Sequence, residues 1–134
     1  MSKKQKKLSS ILIPVSIGEL IDKITILKIK KERMTRGKLM NVEKELKSLE
    51  KIIHKNYLEI DITLLACLKE VNISLWEIED KIRAKESKGE FDNEFIQLAR
   101  SVYKQNDRRV AIKREINNNY NSEIIEEKLY KKYD

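Results

Sequence analysis

Only three glycines and one proline interrupt 134 residues, and that scarcity limits what this chain can fold into more than any other feature. Sandwiches and barrels of many short strands need a turn residue every 8 to 12 positions. A chain without them is left with long helices. With 40% hydrophobic and 38% charged residues, the length suits one compact core rather than two. Residues 11–134 therefore read as a single domain, preceded by a disordered basic tail at 1–10.

Local signals place the helices. Pro14 keeps Ile13 extended. Ser16 and Glu19 then have the spacing of a capping box, with Glu19 expected to reach back to the cap N–H. The first helix runs through Ile17, Leu20, Ile24 and Leu27 to about Met34, with Gly37 beyond it. Ile26 and Ile29 widen its apolar surface, so it should touch more than one neighbour. A second helix, from Lys38 or Asn41 to Asn56, repeats Val42, Leu46, Leu49 and Ile53. A third starts after Asp61 and carries Leu64, Leu68, Val71, Leu75, Ile78 and Ile82 in heptad spacing until Gly89. Asp92 caps a fourth, which the run Asn117 to Asn119 ends. Asn121 or Ser122 should cap a short last helix, acidic at its start (Glu123, Glu126, Glu127) and basic at its end (Lys128, Lys131, Lys132), as the helix dipole favours. The expected fold is all-α: an antiparallel bundle of four principal helices plus a short C-terminal helix. About 25 residues make the third helix long for so small a domain, and its projecting stripe calls for a partner, most simply a second copy in a homodimer.

Charge and cysteine usage bound the function. The net charge is +7, but four of the 29 basic residues lie in the first ten positions, leaving 25 against 22 acidic ones. Lys104, Arg108, Arg109, Lys113 and Arg114 form the one compact basic patch of the body, and aromatic residues are only 6%. That is a thin basis for nucleic-acid binding. Cys67 stands alone, which excludes an internal disulfide and fits a reducing, cytoplasmic setting (the host cytoplasm for a phage-encoded chain) as a small buried hydrophobe. No apolar run is long enough to span a bilayer. His54, without other His or Cys near it, reads as structural.

Chemistry is sought where polar residues lie on or beside an apolar stripe. Asp22 shares a column with Ile26 and Ile29, with Glu19 one turn before it. Glu77 and Asp80 follow Ile73 down a flank of the third helix, while Glu79 and Arg83 make an i,i+4 ion pair. Tyr103, Asn106, Val110, Lys113 and Asn117 form a column on the fourth helix, and Asn106 there must find a partner. With Asp107 and Arg109, the residues Tyr103, Asn106 and Lys113 are the candidate ligand contacts.

Glu19-Leu-Ile-Asp22 and Glu77-Ile-Glu-Asp80 resemble the paired carboxylates of all-α nucleoside-triphosphate pyrophosphatases. That resemblance implies Mg²⁺ held by Glu19, Asp22, Glu77 and Asp80, with Asn106, Arg109 and Lys113 on the phosphates. The pairs depart from that pattern in ending the first with Asp and in standing 54 residues apart. Along the whole chain, SIGELIDKITILKIKKERM, NVEKELKSLEK, LWEIEDKIRAKE and FDNEFIQLARSVYKQNDRRVAIKREIN resemble a family of small bacterial and phage proteins that is a domain of unknown function. The likeness covers roughly residues 14 to 133 and implies a bacterial or phage source without an activity to transfer. The expectation is a noncatalytic, oligomeric helical-bundle binding protein. The alternatives are the divalent-metal pyrophosphatase and a nucleic-acid-binding accessory protein.

Overall fold

The computed structural model describes residues 9–134, so most of the basic tail expected at 1–10 lies outside the described residues. Four helices follow one another: α1 (Ile17–Arg33), α2 (Arg36–Lys55), α3 (Ile62–Lys88) and α4 (Asn93–Asn119). Their ends obey the local signals. Ser16 Oγ accepts from Glu19 N at 3.0 Å, Asp61 Oδ1 from Thr63 N at 2.8 Å and Leu64 N at 3.2 Å, and Asp92 Oδ1 from Phe95 N at 3.0 Å. Each accepted N–H is one that a helix start leaves without an internal partner. Gly89 closes α3 in the left-handed region at φ 66°, where a Cβ would be strained. Gly37, placed after the first helix by the sequence reading, instead lies in the first turn of α2, because Met34 and Thr35 alone connect α1 to α2.

α1 is the hub. One of its faces packs Leu20, Ile24 and Leu27 against Val42 and Leu46 of α2. Another places Ile21 with Leu64 and Leu68 of α3 and Ile116 of α4. Burying a Leu or Ile side chain contributes about 1.5–3 kcal/mol, so a helix buried on two faces binds the two clusters into one unit. Ile29 at 1% exposure shows how far the second face is covered. Ile53 of α2 packs against both clusters.

α3 and α4 form an antiparallel hairpin joined by Gly89 to Asp92, and at 27 residues each they run about 40 Å. α1, with 17 residues, is shorter by ten residues than either. Burial along the heptad stripe fades accordingly: Leu64, Leu68 and Val71 are buried, while Leu75, Ile78 and Ile82 are half-buried. The tip is pinned by Lys85, whose ammonium meets Asp92 at 2.8 Å, Glu94 at 3.0 Å and Glu90 at 3.2 Å.

The short C-terminal helix is not formed: residues 123–134 carry no helix and run back along α4. Ser122 does not cap a following helix. Its Oγ accepts from Ile17 N at 3.1 Å and donates to the Ile124 carbonyl at 2.6 Å. The favourable charge order was worth only a few tenths of a kcal/mol to 1 kcal/mol, and a helix this short is marginal. Its acids are used on α4 instead, Glu126 on Lys113 and Glu127 on Arg114.

Candidate functional site

The site begins with a carboxylate inside the bundle. Asp22 of α1 is 1% exposed, and an ion there must be paired and hydrogen-bonded to persist. Asn72 of α3 donates to its Oδ1 at 2.9 Å. Arg109 of α4 donates from Nε to Oδ1 at 3.2 Å and from Nη2 to Oδ2, the forked geometry that makes guanidinium–carboxylate pairs specific. Lys113, one turn further along α4, stands 3.8 Å from Oδ2. Three helices thus meet on one charge.

Lys113 extends the network. Its Nζ donates to Glu19 at 2.6 Å and to Glu126 at 3.1 Å. Glu19 therefore does not close the expected capping box: its carboxylate goes to the partly buried Lys113 ammonium, while the Ile17, Gly18 and Glu19 N–H groups donate to Ser122, Asn117 and Ser16 side chains. Gly18 N donates to Asn117 Oδ1 at 2.6 Å, so α4 itself helps cap α1. That contact needs glycine. A Cβ at position 18 would stand 2.6 Å from the Lys113 carbonyl oxygen and 3.0 Å from Asn117 Oδ1.

Titration behaviour follows from these contacts. The Asp22 carboxylate holds the Arg109 guanidinium further above its ordinary pKa, against a smaller opposing effect of burial. Burial works to lower the Lys113 pKa, but Glu19, Glu126 and Asp22 together outweigh it and hold the ammonium above its usual value. Lys128 first, then Lys113, keep the Glu126 carboxyl below the usual range. The Tyr133 hydroxyl, donating to Asp107 at 2.7 Å, is pushed up to about 12.

The five candidate ligand contacts come together. Tyr103, Asn106, Asp107, Arg109 and Lys113 all line one cavity of about 340 Å³. Lys128 and Tyr130 of the C-terminal segment line it as well, and Val102 and Val110 add its apolar wall. Another cavity, about 290 Å³, lies where the α3–α4 hairpin extends past α1; Ile29, Asn72 and Trp76 are among its walls. It shares Val102, Asn106 and Arg109 with the first. Asn106 is half-buried between the two. Cys67 is half-buried rather than buried, and His54 is on the surface.

The four candidate metal ligands do not come together. Glu77 and Asp80 are exposed on α3, whereas Asp22 and Glu19 face two cations of α4. Among the described residues, no group of three or more His, Cys, Asp or Glu side chains stands where it could hold a metal ion. A carboxylate that already accepts from Arg109 and Asn72, with an ammonium beside it, is a poor donor for a divalent cation, which needs open oxygens and a net negative site. The i,i+3 spacing on two helices correctly paired residues within each helix, but periodicity carries no information on whether two flanks converge.

Two amides are buried, Asn72 and Asn117. Asn72 follows Val71 on the flank of the heptad stripe, one turn after Leu68, and that position was the available signal. Asn117 was placed in the α4 column but taken to mark the end of the helix; it is 2% exposed and caps α1. Glu79 and Arg83 form the expected exposed pair at 2.8 Å.

Among the described residues, no helix is long and apolar enough to cross a membrane. No curated protein and no solved structure matches the chain. A family model does: it covers residues 11–133, nearly the whole of the folded chain, and by that match the protein belongs to the family of unknown function DUF6165.

Proposed function

We propose that the chain is a noncatalytic helical binding module that takes a small anionic ligand into the α4 cavity. The observation that carries this reading is the convergence of Arg109, Lys113 and Lys128 on one cavity of about 340 Å³, beside Tyr103, Asn106 and Tyr130. That volume is in the range of small-molecule sites. The cations supply attraction for a negative group, the Asn106 amide a directional bond, and the tyrosine rings a surface for a planar or apolar part. Against catalysis stands the state of the carboxylates. Asp22 and Glu19 are engaged by Arg109 and Lys113, Glu77 and Asp80 are solvated on another element, and Asp107, the carboxylate on the cavity lining, accepts from the Tyr133 hydroxyl at 2.7 Å.

A thermal-shift screen of phosphate- and carboxylate-bearing small molecules, with and without Mg²⁺, tests the reading. A ligand at about 100 times its Kd stabilises the native state by ~2.7 kcal/mol, on the order of 5–10 °C for a chain of this length. The shift should be independent of Mg²⁺ and disappear in Val110→Phe, which fills the cavity while leaving the ion pairs in place. Mg²⁺-dependent turnover of a nucleotide would favour the hydrolase instead. Nucleic-acid binding has less support, since the basic patch is short and aromatic residues make up only 6% of the chain.

Self-association is a second reading, carried by the part of the α3–α4 hairpin that extends past α1. Leu75, Ile78 and Ile82 are only half-buried there, and Phe91 and Ile96 near the tip are 61% and 51% exposed. A second copy fits because an apolar stripe repeated on both partners is self-complementary about a two-fold axis. Sedimentation velocity should give a dimer, and Ile96→Glu a monomer with unchanged helix content. A wild-type chain that stays monomeric at tens of micromolar would count against it.

A further inference from the structure

The C-terminal segment 122–134 is held to α4 by polar contacts and by one ring contact, Tyr133 on Tyr103 at 4.9 Å between centroids. Glu127 meets Arg114 at 2.6 Å and Tyr133 meets Asp107 at 2.7 Å, while Ile125, Leu129 and Tyr130 remain 42%, 98% and 71% exposed. Exposed ion pairs are individually weak, and a segment with so little apolar burial opens locally at low cost.

Within this segment the Glu126 carboxylate bridges two ammonium groups at the edge of the cavity. One oxygen accepts from Lys113 at 3.1 Å and the other pairs with Lys128 at 3.1 Å. Both lysines line the α4 cavity of about 340 Å³, and Glu126 sits with them in the crevice beside it. Three cations, Arg109, Lys113 and Lys128, are thereby paired with three carboxylates, Asp22, Glu19 and Glu126, while Asp107, the fourth carboxylate and also on the cavity lining, accepts from the Tyr133 hydroxyl at 2.7 Å. Asp22 and Glu19 belong to α1 and cannot leave without disturbing that helix. Glu126, 41% exposed in its side chain and outside any helix, can. Its departure uncovers one unit of positive charge between the lysines.

We propose that Glu126 is a built-in competitor: its carboxylate occupies the position that an incoming ligand's oxyanion takes between Lys113 and Lys128, and the ligand binds by displacing it. The inference rests on the anion-binding reading and adds which atoms receive the charged group and what must leave. A phosphate group is the favoured oxyanion. Arg109 spends Nε and Nη2 on Asp22 and has no partner for Nη1 among the described residues, so two ammoniums and part of a guanidinium offer more donors than one carboxylate can accept.

Calorimetric titration of the full chain with inorganic phosphate and, separately, with acetate tests the proposal at low salt, where such contacts are least screened. Glu126→Gln should bind phosphate about five- to tenfold more tightly than the wild type, since the competing charge is gone. Lys128→Ala should bind it more weakly, and circular dichroism should show both variants folded. Wild-type binding that Glu126→Gln leaves unchanged or weakens overturns the displacement while the cavity reading stands. Acetate binding more tightly than phosphate overturns the phosphate assignment. Absence of heat with either anion in every variant overturns the competitor and the anion-binding reading together.

Discussion

Arg109→Met is expected to cost about 3–4 kcal/mol of folding stability, measured by urea denaturation near neutral pH. The substitution keeps most of the packing volume but strips the forked donors from Asp22, a carboxylate 1% exposed. Only Asn72 at 2.9 Å and Lys113 at 3.8 Å then remain to it. Leaving a buried charge without its partner is far more costly than the pair is favourable, because desolvation persists while the attraction is gone. The informative measurement is the cycle with Asp22→Asn, which retains an acceptor for Asn72 and removes the charge. The double variant should be more stable than Arg109→Met alone, with a coupling of about 2 kcal/mol. Additive losses would mean that the two side chains hardly interact, and would remove the electrostatic centre on which the site description stands.

Gly18→Ala is the second large effect, and its sign opposes helix propensity. In an exposed helix, Gly to Ala stabilises by about 1 kcal/mol. Here the added Cβ meets the Lys113 carbonyl oxygen at 2.6 Å, and a backbone atom in the middle of α4 cannot rotate away. α1 and α4 must part by a few tenths of an ångström or more, lengthening the Gly18 N–H bond to Asn117 and disturbing Lys113 beside it. Overpacking of that kind costs about 1–3 kcal/mol, and the weakened buried hydrogen bond adds to it, for a net loss of about 2–3 kcal/mol. A Gly18→Ala protein with a raised melting temperature would show that α1 and α4 do not approach as described. Asn117→Ala should lose less, since it empties space and leaves one N–H unmet.

The caps show how far local chemistry could be read. Ser16, Asp61, Asp92 and Gly89 act where the sequence placed them because a cap is an exchange between a side chain, or a missing one, and backbone three residues away. The column from Tyr103 to Asn117 was legible for a similar reason: residues three and four apart on one helix share a face wherever the helix ends up. The Asp22–Arg109 pair spans 87 positions, and helical periodicity states that each lies on an inner flank without stating that the flanks meet. Glu19 illustrates the competition directly. Its spacing from Ser16 suited a capping box, yet a partly buried ammonium offered a stronger, charge-assisted partner than a neutral N–H. The C-terminal segment failed in the same direction, its acids drawn to Lys113 and Arg114 rather than to the end of a short helix.

What the sequence determined by itself was the helical class, the order and most of the ends of four helices, and the face each turns inward, because these depend on backbone propensity, caps and period over a few residues. The tertiary structure alone decided that α1 is the hub, that Asp22 is matched by a guanidinium rather than by Glu77 and Asp80, and that Glu126 stands between Lys113 and Lys128. Those outcomes depend on which charges are desolvated together, and desolvation is a property of the packed bundle rather than of any helix in it.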